Sequence, residues 1–347
     1  MRRHALANDA PMSQRHRASL LLAFSITIPS LAADGVKMVE LPDRVRVEIN
    51  GELFTEYVFS EKVHPWTSKN KDGTTATNWP RHVYFYPLLG PGATPMTRDW
   101  PMKDVADEEH DHPHHRSLWF SHGEVNGIDF WSETAKAGSI VHDKFLEVKG
   151  GADSGVIRSA NKWIAPDGKV TLTDERTFRV YARPPSERLF DFEVTLKAGD
   201  AEVVLGDTKE GSMAIRVNEV MRLTHGKGKP GTGHIVQSTG VLDDKTWGKQ
   251  AEWCDYHGPV NGKVVGIAMF DHPSNPRHPT WWHVRDYGLF AANPFGVHDF
   301  EKKEAGAGNM TIAAGKSVTF KYRFYLHEGD EKQAGVTARY KDYTAGK

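Results

Sequence analysis

The chain has 347 residues, with 44 Lys+Arg against 45 Asp+Glu and a formal charge of -1; 39% of its residues are hydrophobic and 26% charged. No global field draws it to nucleic acid or to an anionic membrane, and the composition is that of a globular protein long enough to bury a sizeable core. The single cysteine, Cys254, excludes an internal disulfide, so stability must come from packing.

The N-terminus reads as a targeting segment. Arg15 and Arg17 precede the apolar run Ala18–Ile28, and small residues at Ser30 and Ala32 form an A-x-A-like cleavage site. Cleavage is expected after Ala32, which makes residues 1–32 a signal peptide and residues 33–347 one exported domain, periplasmic or extracellular. The stretch "MSQRHRASLL" from Met12 is already a complete signal-peptide start. An apolar run of eleven positions is too short to span a bilayer, and no later run approaches about 18, so no membrane contact is expected after cleavage.

Beyond this segment the dominant period is two. "RVRVEINGELFTEYVF" alternates through Val45, Val47 and Ile49, turns at Asn50-Gly51 and resumes at Leu53, which predicts a hairpin. "SLWFSHG" predicts a strand with Leu118, Phe120 and His122 on one face and Trp119 and Ser121 on the other. "NKWIAPDGKVTLT" predicts a second hairpin at Asp167-Gly168. "RLFDFEVTLKA" and "SVTFKYRFYLH" each present a fully apolar face, and "KVVGIAMF" predicts a buried strand. Helical patterns are scarce, and the 32 glycines and 19 prolines fall mostly between strands. The expected fold class is all-β, a large antiparallel β-sandwich, with residues 60–81 and 87–115 as its longest loops. Long loops on a rigid sheet are where sites usually sit.

Three constellations could carry chemistry. The first holds five of the 18 histidines: His110, His112, His114, His115 and His122. Imidazole beside Asp107, Glu108, Glu109 and Asp111 suits a metal, with His112, His114 and His115 as the ligand set, or proton transfer on a bound substrate. The spacing matches no standard metal signature. The second, "GDTKEGSMAIRVNEVMR", offers Glu210 as a base and Arg216 as a planar fork for a substrate carboxylate or hydroxyls. The third, "HPSNPRHPTWWHVRDYGLFAANPFGVHDF", offers His283 and Arg285 on one face of an extended segment with Trp282 opposed, followed by Tyr287 and Asn293. Aromatic rings among His, Arg and Asn are what a sugar site needs. Cys254 near His257 is a candidate nucleophile or an ordinary buried residue. No P-loop, dinucleotide fingerprint, G-x-S-x-G elbow or cysteine knuckle occurs, and the cofactor, if any, is left unknown.

At "HPHHRSLWFSHGEVNGIDFW", "GDTKEGSMAIRV" and "WWHVRDYGLFAANPFG" the chain resembles an exported bacterial family labelled PmoA-like, over roughly residues 40–330. "SHGEVNGIDFW", ending at Trp131, and the closing "GKSVTFKYRFYLHEGD" are similar to segments of galactose mutarotase-like proteins. That second resemblance implies a β-supersandwich acting on or binding sugars, with His122 as a substrate-binding or acid histidine. The chain has no second H-P-Y-F-N segment and no matching C-terminal glutamate, which sets it apart from plain mutarotases.

Together these features lead to an expected carbohydrate-active protein with acid/base chemistry on a sugar: epimerisation, elimination or hydrolysis of a modified glycoside. His122, Glu210 and His283 are its catalytic candidates. Its substrate-binding candidates are His114, His115, Trp131, Arg216, Trp282, Arg285, Tyr287 and Asn293. The partner is a carbohydrate or another small molecule. The alternatives are a metal-dependent oxidoreductase built on the His110–His122 cluster and a non-catalytic carbohydrate-binding protein.

Overall fold

The computed structural model describes residues 35–346, and the N-terminal segment assigned to export lies outside them. Alternation builds the strands. In Arg44–Ile49 the inward Val45, Val47 and Ile49 are at most 1% exposed, and the chain returns as Glu52–Val58 through Asn50 at φ 53° and Gly51 at φ 81°. Both turn residues tolerate the left-handed backbone that a tight hairpin demands. In the second hairpin only Gly168 takes positive φ, at 85°. Pro166 and Asp167 sit in a turn closed by Gly168 N–H donating to the Ala165 carbonyl at 2.9 Å. The loop is thus longer than the two-residue turn expected, because Pro166 fixes φ in the negative range.

Most of the strands form two eight-stranded sheets, paired antiparallel throughout. In spatial order the first runs Val36–Glu40, Arg44–Ile49, Glu52–Val58, Tyr84–Leu88, Leu118–His122, Gly211–Arg216, Leu289–Asn293, Trp281–Val284. The second runs His234–Gln237, Trp253–Val260, Lys263–Asp271, Ser317–Glu328, Glu187–Lys197, Val170–Tyr181, Ser154–Ile164, Ser139–Lys149. Phe54, Phe85, Phe120 and Ile215 of the first sheet meet Phe178, Phe190, Phe192 and Phe324 of the second in one apolar core. The two apolar faces expected from sequence lie side by side there. Phe190 pairs with Phe324, Phe192 with Tyr322 and Val194 with Phe320, and the Phe190 and Phe324 rings stack at 4.7 Å. Burying such rings contributes about 1.5–3 kcal/mol each, which makes their meeting a main source of the sandwich's stability.

Each sheet also has an outer apolar face. On the second sheet Trp253, Phe270 and Tyr325 pack under Val336, Tyr340 and Tyr343 of the C-terminal helix Val336–Thr344. On the first sheet Tyr84, Trp119, Ala214, Leu289 and Ala291 pack with Trp131 from a loop. The 60–81 stretch is not wholly irregular, since Trp66–Lys69 and Thr75–Asn78 form a small hairpin around Gly73 at φ 84°. Threonine and tryptophan favour strands, and Asp72-Gly73 supplies the turn. No helix among the described residues is long and apolar enough to cross a membrane.

Candidate active site

All three constellations meet on the outer face of the first sheet. The strands Leu118–His122, Gly211–Arg216, Leu289–Asn293 and Trp281–Val284 are consecutive neighbours there, so segments far apart in sequence become adjacent. Between them lies a cleft of 530 Å³ lined by His112, His114, Asp129, Trp131, Lys209, Glu210, His283, Arg285 and Tyr287, among others. That volume is typical of small-molecule pockets.

Strand parity decides which expected residues reach it. His283 lies on the cleft face, whereas Trp282 points into the core and donates its indole N–H to the Ala251 carbonyl at 2.9 Å. Trp282 therefore has no surface to offer a ligand. His122 shares the inward face of Leu118 and Phe120 and is 1% exposed, its ring against Phe295 at 4.5 Å. Its Nε2–H donates to the Gly206 carbonyl at 2.9 Å, and burial pushes its pKa down to about 4. His122 is a neutral interior histidine and does not line the cleft. Its period-two face was legible, but that this face was the inward one became visible only with both sheets in place.

His283 is held differently. Its Nδ1 lies 2.5 Å from the Lys209 carbonyl, which can only accept, so the proton sits on Nδ1 and Nε2 keeps a lone pair. Burial drives its pKa down to about 3, which keeps the ring neutral at physiological pH. Asn293 does not line the cleft either. Its Nδ2 donates to the Thr208 and Lys209 carbonyls at 3.0 and 2.8 Å. Asp299 accepts from Lys209 N–H at 2.9 Å. The turn that presents Glu210 is thus fixed from three sides.

The histidine loop is gripped from beneath by buried arginines. Arg98, fully buried, donates to the carbonyls of Glu109, Asp111 and His112 and to the Asp111 carboxylate. Arg216, equally buried, donates Nη2 to Asp111 Oδ1 at 2.9 Å, and its Nη1 lies 3.3 Å from His115 Nδ1. Arg216 thus holds the protein's own carboxylate and lies beneath the cleft, where sequence reading had it holding a substrate. Burial would raise the Asp111 pKa, but the hydrogen bond to His112 and the charges of Arg216 and Arg98 hold the carboxyl well below the usual carboxylate range. The other oxygen of Asp111 accepts from His112 Nδ1 at 2.7 Å. The His112 ring is stacked between His115 at 4.8 Å and Tyr287 at 5.2 Å. His112 takes φ 44°, a left-handed conformation that costs a non-glycine residue about 1 kcal/mol or more and persists only when neighbours enforce it. The Arg98 bond to its carbonyl is one such constraint.

His115 lies under this stack, 1% exposed and against Trp119 at 5.3 Å, with its pKa held far down by burial. His114 does reach the cleft, and burial takes its pKa to about 3. His112, His114 and His115 meet largely through ring faces and edges. Among the described residues, three metal-binding donor atoms come within 4.8 Å of one another at a different place, Asp255, His257 and Glu331. Cys254 faces the core, and burial raises its thiol pKa. Arg285 lies over the Tyr287 and Trp247 rings at 5.3 and 5.9 Å and makes no ion pair among the described residues. Arg116 and Glu133 form a fully buried pair through two hydrogen bonds, at 2.5 and 2.9 Å. Sequence reasoning passed over Arg98 and Arg116, which carry no motif; acidic residues flanking the histidines were the available hint.

No curated protein sequence matches the chain. Among solved structures it is similar to the alpha-galactosidase from Lactobacillus brevis, with TM-score 0.36 and 10% identity over 86% of this chain and 40% of that one. The chain thus spans about two fifths of that enzyme's length. It is also similar to a GalM/aldose epimerase homologue from C. elegans, with TM-score 0.31 and 7% identity over 85% of this chain and 99% of that one. A family profile matches residues 44–341, nearly the whole of the described chain, and by that match the protein belongs to the family of unknown function DUF6807.

Proposed function

We propose that the cleft binds a carbohydrate and carries out proton-transfer chemistry on it, an epimerisation, an elimination or the hydrolysis of a modified glycoside. The observation that carries this reading is the content of one cleft: a neutral, tautomer-fixed His283, the carboxylate of Glu210, an arginine with no ion pair among the described residues, and the aromatic rings of Trp131 and Tyr287. The imidazole Nε2 of His283 accepts a proton, and Glu210 serves as its partner acid or base. Arg285 neutralises the oxyanion that forms when a proton leaves carbon or a hydroxyl. His112, oriented by Asp111 as a histidine is by its carboxylate in a hydrolytic triad, takes the second acid/base role in place of His122. His114, Trp131 and Tyr287 position the ring, while Arg216, His115 and Asn293 hold the parts that do. In the same reading the domain is exported, as the segment ending at Ala32 and the PmoA-like motifs imply.

The test is a panel of neutral sugars, uronic acids and their glycosides, read by quenching of tryptophan fluorescence and by product analysis. Glu210→Gln and His283→Gln are expected to keep sugar binding within about threefold while lowering turnover by about 10²–10⁴. Binding without turnover by the wild-type chain would favour a non-catalytic sugar-binding module. Turnover unaffected by both substitutions would remove these residues from the chemistry.

A further inference from the structure

A second cluster lies on the opposite outer face, beside the C-terminal helix. The strand Trp253–Val260 turns Cys254 and Tyr256 into the core, while Trp253 packs outward against the helix. Alternation therefore puts Asp255 and His257 on the outward face with Trp253. Asp255 is fully buried, with Oδ1 at 2.7 Å from His257 Nδ1 and Oδ2 at 2.8 Å from His327 Nε2. His257 and His327 belong to strands that flank Lys263–Asp271, and both are in register with Gly266. A Cβ on Gly266 would lie 2.6 Å from His327 Nε2 and 2.9 Å from the His257 Cβ, so the cluster needs glycine beneath it. Glu331 enters from the segment before the helix, its Oε2 3.9 Å from His257 Nδ1 and its side chain 13% exposed. Among the described residues the only other cation paired with it is Lys332, 88% exposed at 3.9 Å, which contributes little.

Two carboxylates this well buried and this close call for a cation between them. We propose that Asp255, His257 and Glu331 form a divalent transition-metal site of the zinc class, with His327 as an outer partner. Bonds of about 2.0–2.2 Å to one tetrahedral ion separate its donors by about 3.3–3.5 Å, and the observed 2.7 and 3.9 Å bracket that spacing. The ion takes the place of the proton on His257 Nδ1. His327 donates Nε2–H to the carboxylate oxygen of Asp255 that does not bind the ion, the outer-shell hydrogen bond that orients metal-bound carboxylates. Three protein donors leave a fourth position for water. Glu331 also accepts the Val336 N–H on its carbonyl at 3.0 Å, so the ion couples the C-terminal helix to the sheet beneath. The site lies on the other sheet from the cleft and stands independently of the sugar reading.

The test uses the full chain without an affinity tag, stripped with a chelator and titrated with zinc by calorimetry, with thermal melting in parallel. About one equivalent is expected to bind, raising the melting temperature and releasing protons. Glu331→Gln is expected to weaken zinc at least tenfold while leaving the melting temperature of the metal-free protein unchanged, and His257→Gln to abolish binding. Zinc that fails to bind the wild-type chain overturns the proposal. So does zinc bound equally well by Glu331→Gln, or binding lost instead in His112→Ala.

Discussion

Lowering the pH from 7 to 5 is expected to remove about 6 kcal/mol of stability through His114, His122 and His283 alone, a large part of what a domain possesses. The cause is a set of histidines buried in the neutral form. Burial takes His122 to about 4, and His114 and His283 to about 3, against 6.5 for an unhindered imidazole. His82 and His115 are depressed further by the same cause. Below pH 6.5 the unfolded chain takes up protons that the folded chain refuses. Stability from these groups is therefore complete above 6.5 and is lost as the pH falls toward their folded values. Each of the three loses about 1.4 kcal/mol per pH unit in that window, or about 2 kcal/mol by pH 5. In the metal-free protein His257 is shifted upward, its burial outweighed by the bond to and the charge of Asp255, and it offsets part of the loss. Urea melts at pH 7 and 5 measure the difference, and equal midpoints would refute it. His122→Asn, which removes one titrating group, is expected to flatten the slope by roughly its share.

Asp111→Ala is expected to cost about 3–5 kcal/mol and to abolish the proposed sugar binding in the cleft. Asp111 is the carboxylate between Arg98 and Arg216, whose side chains are fully buried. Without it, two guanidinium groups face each other in the interior, and removing one partner from a buried pair costs that much. His112 would lose the partner of its Nδ1 and Arg98 its carboxylate, so the left-handed backbone at His112 would lose part of what enforces it. Asp111→Ala combined with Arg216→Met is expected to regain part of the stability without regaining binding, because one unpaired charge is gone while His112 stays untethered. Chemical denaturation of the three proteins decides the matter, and a loss below about 1 kcal/mol in Asp111→Ala would mean that water already solvates both arginines.

Alternation made the sandwich legible, and the aromatic faces around Phe190 and Phe324 met as their patterns required. The site was legible as a set of segments. His114, Trp131, Glu210, His283, Arg285 and Tyr287 line the cleft, but His122, Trp282, Asn293, His115 and Arg216 do not. For His122 and Trp282 the obstacle was the sign of a face: period two says which residues share a side, and only the packed sheet says which side is inside. For Arg216 and Asn293 the obstacle was the partner. A guanidinium or an amide looks alike in sequence whether it will hold a ligand or a loop 105 residues away. Asp111 and Arg98 left no trace in spacing, because their interaction is a charge pair across loops that no periodicity describes.

The cleft's floor has a consequence for how the molecule comes to work. Its four strands come from residues 118–122, 211–216, 281–284 and 289–293, and Leu118–His122 pairs with Gly211–Arg216 across some ninety residues of intervening chain. Closing loops of that length is entropically costly and makes such pairings late events in folding. The proposed sugar recognition should therefore be the last property to return during refolding, after the local hairpins have re-formed. During synthesis the cleft cannot form until the strands Trp281–Val284 and Leu289–Asn293 have left the ribosome.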